Sequence, residues 1–154
     1  MTTRDHDGTA GPHIIAEVGG LVDETHVMLG IYGHDLQPEE ISIVLGCSAT
    51  SGHRRGDTRG SGPPFTQGAW ILKVEGKAPV EPDKLVQGLL SRVLIEPITW
   101  EQLVAKYRIR LSFTLFVGAW TRGFELSPTT VERLARLGIV IGFSIYADDG
   151  EENV

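Results

Sequence analysis

The sequence predicts an α+β fold: a ferredoxin-like split βαβ duplication with a mixed or antiparallel sheet, helices mainly on one sheet face, and an extra helical insertion between the halves. Two observations carry this expectation. A strand-like run, a polar turn, Leu-x-Pro, a short amphipathic stretch and Leu-Gly occur twice, as VMLGIYGHDLQPEEISIVLG from Val27 to Gly46 and as FTLFVGAWTRGFELSPTTVERLARLG from Phe113 to Gly138. Four segments also place apolar residues at every second position, the period of a strand. The repeat halves are expected at about 26–76 and 108–147, with the insertion at about 82–107, inside a single domain spanning 13–147.

Taken in order, the segment HIIAEVGG before the first repeat reads as either an added edge strand or a packed arm. The first strand carries Val27, Leu29 and Ile31 on one face. Pro38 then suits the first helical position, where its missing N–H costs nothing, which puts Gln37 at the N-cap. Leu36 and Ile41 fall at hydrophobic-staple spacing, and Gly46 is placed for a left-handed C-cap. The second copy repeats this with Ser127 as the cap, Pro128, a Leu126/Val131 staple and Gly138. Gln37 is the poorer cap of the two. The strand after the first helix carries Trp70, Leu72 and Val74, and it follows a long loop, Cys47 to Ala69, that has no strand or helix signal. DKLVQGLLSRV and TWEQLVAKY read as two helical pieces broken at Pro97, with Thr99 and Gln102 at capping-box spacing. Ile109, Leu111, Phe113, Leu115 and Val117 form the next alternating strand, and Ile139, Ile141, Phe143 and Ile145 the last. One sheet face is thus strongly apolar and can receive helices.

At 154 residues and 41% hydrophobic, the chain is large enough to bury one real core. A formal net charge of -6 argues against broad binding to nucleic acid or to an anionic membrane, since both need a positive field. Cys47 is the single cysteine, so no internal disulfide is possible and a reducing, cytoplasmic location is the simplest expectation. Residues 1–12 and the acidic end 148–154 are expected to be frayed tails, and no apolar run is long enough to span a bilayer.

The run YGHDLQPEEISIVLGCSATSGHRRGD from Tyr32 to Asp57, then GAWIL with Gly68 and Trp70, then LSP, LARLG and a terminal SIY, resembles the bacterial family called domain of unknown function 4279. The likeness spans roughly residues 26–147, and its most specific part is the Leu-x-Pro helix, the Leu-Gly end and the Ser-x-His-Arg-x-Gly-Asp loop in that order. The resemblance implies an α+β domain whose biochemical role is not established. Gln37 stands where that family more commonly has Asp, and the Ser61 to Pro64 spacer is richer in Gly and Pro.

Two places invite a functional reading. The Cys47 to Ala69 loop exceeds the usual length of a compact connection and holds three arginines against one aspartate. His53, Arg54, Arg55, Asp57, Arg59 and the following Trp70 are therefore candidates for contacting a ligand or partner, because guanidinium groups on a glycine-rich backbone suit a phosphate or carboxylate. The same arginines can equally pair with Asp57 and nearby helix acids and so pin the loop to the body. Cys47, His53 and Asp57 include the residue types of a nucleophile, base and orienter, but Cys47 follows a helix C-terminus, the end that disfavours a thiolate. The five histidines lack metal-site spacing, so neither a metal nor a cofactor is expected, and His34-Asp35 reads as turn chemistry.

The second place is the sheet face opposite the helices, where alternation puts Tyr32, Arg108, Arg110, Phe116 and Tyr146 beside Met28, Ile71, Lys73, Ser112, Thr114, Val140 and Ser144. That face is open unless the helices between 83 and 107 cover it. The expected function is a non-catalytic protein-binding domain, an immunity-type protein being one form of it. The alternative is a sensor of a small anion or phosphometabolite through His53 to Arg59, and a third reading is an enzyme with His53 as base. The partner is accordingly a protein or a small anion, not nucleic acid or membrane.

Overall fold

The structure is a computed structural model that describes residues 20–118 and 122–147. The HIIAEV segment and both expected tails lie outside the described residues. Within them the chain forms five strands and four helices: β1 (Glu24–Gly33), α1 (Pro38–Leu45), β2 (Ser51–His53), β3 (Gly68–Lys77), α2 (Pro82–Arg92), α3 (Pro97–Lys106), β4 (Arg108–Val117), α4 (Pro128–Leu137) and β5 (Val140–Ala147). The class is α+β. The sheet is mixed, in the order β2-β3-β1-β4-β5. β1 runs antiparallel to both β3 and β4, β2 antiparallel to β3, and β5 parallel to β4. Each helical connection therefore returns the chain to a strand parallel to the one it left. β1–α1–β2 passes over β3, β3–α2–α3–β4 passes over β1, and β4–α4–β5 joins neighbours.

The two expected repeat halves consequently close differently. In the second, helix leads to a parallel neighbour; in the first, the strand carrying Trp70 is the antiparallel neighbour of β1, and the parallel strand is the three-residue β2. The Cys47 to Ala69 stretch thus does contain a strand, contrary to the sequence reading. Ser51, Gly52 and His53 carry no apolar alternation to announce it, and backbone pairing with Ile71, Trp70 and Ala69 holds it.

All four helices bury their apolar stripes on one sheet face. Ile41 and Leu45 of α1, Val86, Leu89 and Leu90 of α2, Trp100 and Leu103 of α3, and Leu134 and Leu137 of α4 join Val27, Leu29, Ile31, Trp70, Leu72, Leu111, Phe113 and Leu115 in one cluster. Complete burial of a side chain of this size removes about 1.5–3 kcal/mol worth of contact with water, so this layer is the main source of stability. The helices of the 82–107 insertion spend their apolar faces here and leave the opposite face of the sheet open among the described residues.

Both Leu-x-Pro helices begin at proline and end on a glycine in the left-handed region, Gly46 at φ 62 and Gly138 at φ 62. Their starts differ. Ser127 accepts from the Thr130 N–H, whereas Gln37 makes no side-chain cap. The staple also differs, because Leu36 and Ile41 are buried but Val131 is 51% exposed. The expected Thr99/Gln102 capping box is corrected by one turn: α3 starts at Pro97 and Glu96 is its cap, accepting from Thr99 N at 2.8 Å and Ile98 N at 3.4 Å. The Thr99 hydroxyl also donates to Glu96 Oε2 at 2.6 Å, and this bond first, with the two backbone bonds, holds the Glu96 carboxyl below its ordinary pKa. Replacing Gln37 by Asp is expected to raise stability by about 1 kcal/mol, since a vacant cap acquires an acceptor at a helix N-terminus. A denaturant midpoint that does not move, or falls, contradicts the cap assignment.

Candidate functional site

The loop side of the site is built by α1, β2 and the turns after it. His53 ends β2 and its ring lies on Phe65, with centroids 3.4 Å apart and planes inclined by 12°. Its Nδ1 is buried and has no hydrogen-bond partner among the described residues. Arg59 stands over the other part of this stack, its guanidinium carbon 4.9 Å from the Phe65 centroid. Gly56 at φ 89 and Gly60 at φ 53 let the backbone turn back so that Gly56 donates to the Phe65 carbonyl at 2.8 Å and Phe65 to that of Asp57 at 3.0 Å.

The arginines are already engaged. Arg54 donates to Glu39 Oε2 at 2.8 Å, and its backbone N–H donates to Asp57 Oδ2 at 2.8 Å. The Arg54 bond holds the Glu39 carboxyl low and pushes the guanidinium further up. Arg55 meets His34 Nε2 at 2.8 Å and Asp35 Oδ1 at 3.4 Å. Trp70 is wholly buried and donates from its indole to Ser42 Oγ at 3.0 Å, which makes it the core post on which α1 rests. The anchoring alternative is therefore the geometry present: one arginine ties the loop to α1, and its neighbour ties it to the turn after β1. Such exposed pairs are screened by solvent and position the loop more than they stabilise the fold. Cys47 donates weakly to the Ser48 carbonyl at 3.5 Å, and Asp57 serves Arg54 rather than His53, so the three are not wired as nucleophile, base and orienter.

Between α1 and β2 lies a cavity of about 480 Å³ lined by Pro38, Glu39, Ser42, Ala49, Ser51, Gly52, His53, Arg54 and Asp57. Two carboxylates against one guanidinium give it the wrong sign for an anion. Among the described residues no group of His, Cys, Asp and Glu is placed to hold a metal ion.

The outer sheet face gathers the other candidates as the alternation required. Register places Arg108 beside Tyr32, Arg110 beside Gly30 and Val140, and Phe116 beside Tyr146. The Arg108 guanidinium carbon sits 5.3 Å from the Tyr32 centroid, and the Phe116 and Tyr146 rings stack at 5.4 Å and 17°. Gly30 and Gly142 are where these flat groups lie down: a Cβ at Gly30 would meet the Tyr32 ring, and one at Gly142 would meet the Arg110 guanidinium. Arg110 donates to Ser112 Oγ at 3.2 Å. Neither Arg108 nor Arg110 has a carboxylate partner among the described residues, whereas Lys73 pairs with Glu75 at 3.4 Å and His26 with Glu24 at 2.8 Å. Positive charge is thus uncompensated at the Tyr32 end of the face and neutralised at the other.

Sequence reasoning named both arginine groups but missed Phe65 and His26. Phe65 follows two prolines with no periodic signal around it, and His26 reads as an ordinary strand residue. A family model described as domain of unknown function (DUF4279) matches residues 23–148. The chain belongs to this family. The match begins at the start of β1 and ends just past β5, so the DUF4279 domain and the five-stranded sheet coincide. No curated protein and no solved structure matches the chain. No helix among the described residues of this DUF4279 domain is long and apolar enough to cross a membrane.

Proposed function

We propose that this DUF4279 domain is a non-catalytic protein-binding module whose docking surface is the outer face of its sheet, and that the partner presents carboxylates to it. The observation that carries the reading is the pair Arg108 and Arg110, without acidic partners among the described residues, laid on an aromatic face with Tyr32, Phe116 and Tyr146. Aromatic and arginine side chains dominate the centres of protein interfaces, because they bring large area with few rotatable bonds and can fork onto a carboxylate. The order of the first four strands supports a ferredoxin-like split βαβ kinship, with α4 and β5 as an addition, and that kinship by itself lends no activity. The His53 to Arg59 loop serves this module as its braced edge, since its arginines are spent on Glu39, His34 and Asp35.

The test is affinity capture from the native host with three forms of the full chain. Wild type and the loop form Arg54→Ala/Arg55→Ala are expected to retain the same partner. Arg108→Glu/Arg110→Glu, folded by circular dichroism, is expected to bind it at least about a hundredfold more weakly, because two attractive contacts become repulsive. Equal retention by all three forms, or loss with the loop form alone, overturns the proposal.

A further inference from the structure

Edge strands normally carry a charge, a proline or a bulge, or are very short, because their unpaired backbone groups otherwise recruit another strand. The β2 edge is three residues long. The β5 edge has none of these devices: eight residues, VIGFSIYA, hold no charge and no proline, and β4 is the strand it pairs with among the described residues. The helical layer also stops short of it, leaving Phe143 50% and Ile145 65% exposed on the helix side, while Val140 is 61% and Tyr146 60% exposed on the outer side.

From Val140 to Tyr146 the side-chain classes of this strand, apolar or small, mirror one another about Phe143. Two steps either side stand Ile141 and Ile145, three steps either side Val140 and Tyr146, and one step either side the small Gly142 and Ser144. Opposed residues of an antiparallel pair share a sheet face. We propose that β5 pairs antiparallel with β5 of a second copy of this chain, across a two-fold axis through Phe143. In that register Phe143 meets Phe143 and Ile141 meets Ile145 on the helix side, Val140 meets Tyr146 on the outer side, and Gly142 meets Ser144. Every exposed apolar side chain of the strand then faces another, and no charge faces its own copy. An unrelated strand would match this pattern only by chance, whereas an isologous contact needs a pattern that is its own mirror, which β5 has. The two sheets become continuous, and their outer faces run together through Tyr146. This assembly is independent of the carboxylate-bearing partner proposed above.

Sedimentation velocity on the full chain, across a micromolar-to-submillimolar series, tests it. Wild type is expected to sediment as a dimer at the upper concentrations. Ile145→Glu and Ile145→Lys, both at an exposed position, are each expected to weaken the dimer at least about tenfold, with the thermal midpoint of the monomer unchanged. Ile43→Glu, at a still more exposed position on α1, is expected to leave the dimer intact. A wild type that stays monomeric throughout overturns the proposal and leaves the strand to another occupant. So does a dimer that survives both Ile145 variants, or one that Ile43→Glu dissociates.

Discussion

Replacing Asp83 by Asn is expected to destabilise the fold by about 2–3 kcal/mol, because it turns one acceptor of a closed polar cluster into a donor facing donors. Asp83 lies in the first turn of α2 and is nearly buried. Its Oδ2 accepts from Gln87 Nε2 at 2.7 Å, and its Oδ1 accepts from the backbone N–H of Ser127, the cap of α4, at 3.0 Å. Gln87 also donates to Thr130 Oγ1 at 3.0 Å, and Thr130 meets Ser127 Oγ at 3.0 Å. One carboxylate therefore ties the N-termini of two helices, where the helix dipoles favour negative charge. Burial pushes this carboxyl up, but the hydrogen bonds from Thr130 and Ser127 outweigh it and hold the pKa below the ordinary value. A group depressed on folding contributes stability that is present above its unfolded pKa, about 3.9, and lost as pH falls through the folded value. The thermal midpoints of wild type and Asp83→Asn are thus expected to differ by roughly 4–12 °C at neutral pH and to converge as the solution is acidified below about pH 4. A gap below about 2 °C at neutral pH contradicts this account of the cluster.

Gly68→Ala is expected to cost about 3 kcal/mol, at the upper end of overpacking effects. A Cβ on Gly68 would collide with the backbone carbonyl oxygen of Leu36, and its other near neighbours are the carbonyl carbon and Cβ of the same residue, each 3.0 Å away. Backbone cannot swing aside as a side chain tip can. Relief requires the turn between β1 and α1 to move off β3, and His53 is paired to Ala69, the next residue along β3. The expected result is a lowered denaturant midpoint together with faster amide exchange in β2 and at the Arg54–Glu39 tie. A stability within about 0.5 kcal/mol of wild type contradicts the close approach.

These two residues show where the sequence was legible and where it was not. Both Leu-x-Pro helices could be bounded to the residue, because proline at the start and glycine at the end impose their own backbone angles whatever lies around them. The long strands were readable for the same local reason, a period of two that only one pleated face can bury. Asp83 was not, since an acid in a first helical turn is ordinary, and its meaning depends on Ser127 and Thr130, which only the tertiary fold brings near. β2 was invisible because its pairing is entirely backbone. Gly68 read as family pattern without the reason, which is the Leu36 carbonyl. Alternation along the strands assigns which residues share the outer face. Its charges are met mostly along their own strands, Lys73 and His26 by Glu75 and Glu24 and Arg110 by Ser112, each two residues away, while register sets Arg108 against Tyr32.

That contrast between braced loop and uncompensated face is the core of the functional account, and hydroxyl-radical footprinting reads both at once. In the free chain Tyr32, Phe116 and Tyr146 are expected to be oxidised readily while Trp70 is spared. With the captured partner bound, those three are expected to be protected while Phe65 and His53 keep their free-state reactivity. Strong protection of Tyr32 and Tyr146 in the free monomer, or partner protection confined to the loop from His53 to Phe65, would contradict the assignment of the sheet face as the docking surface.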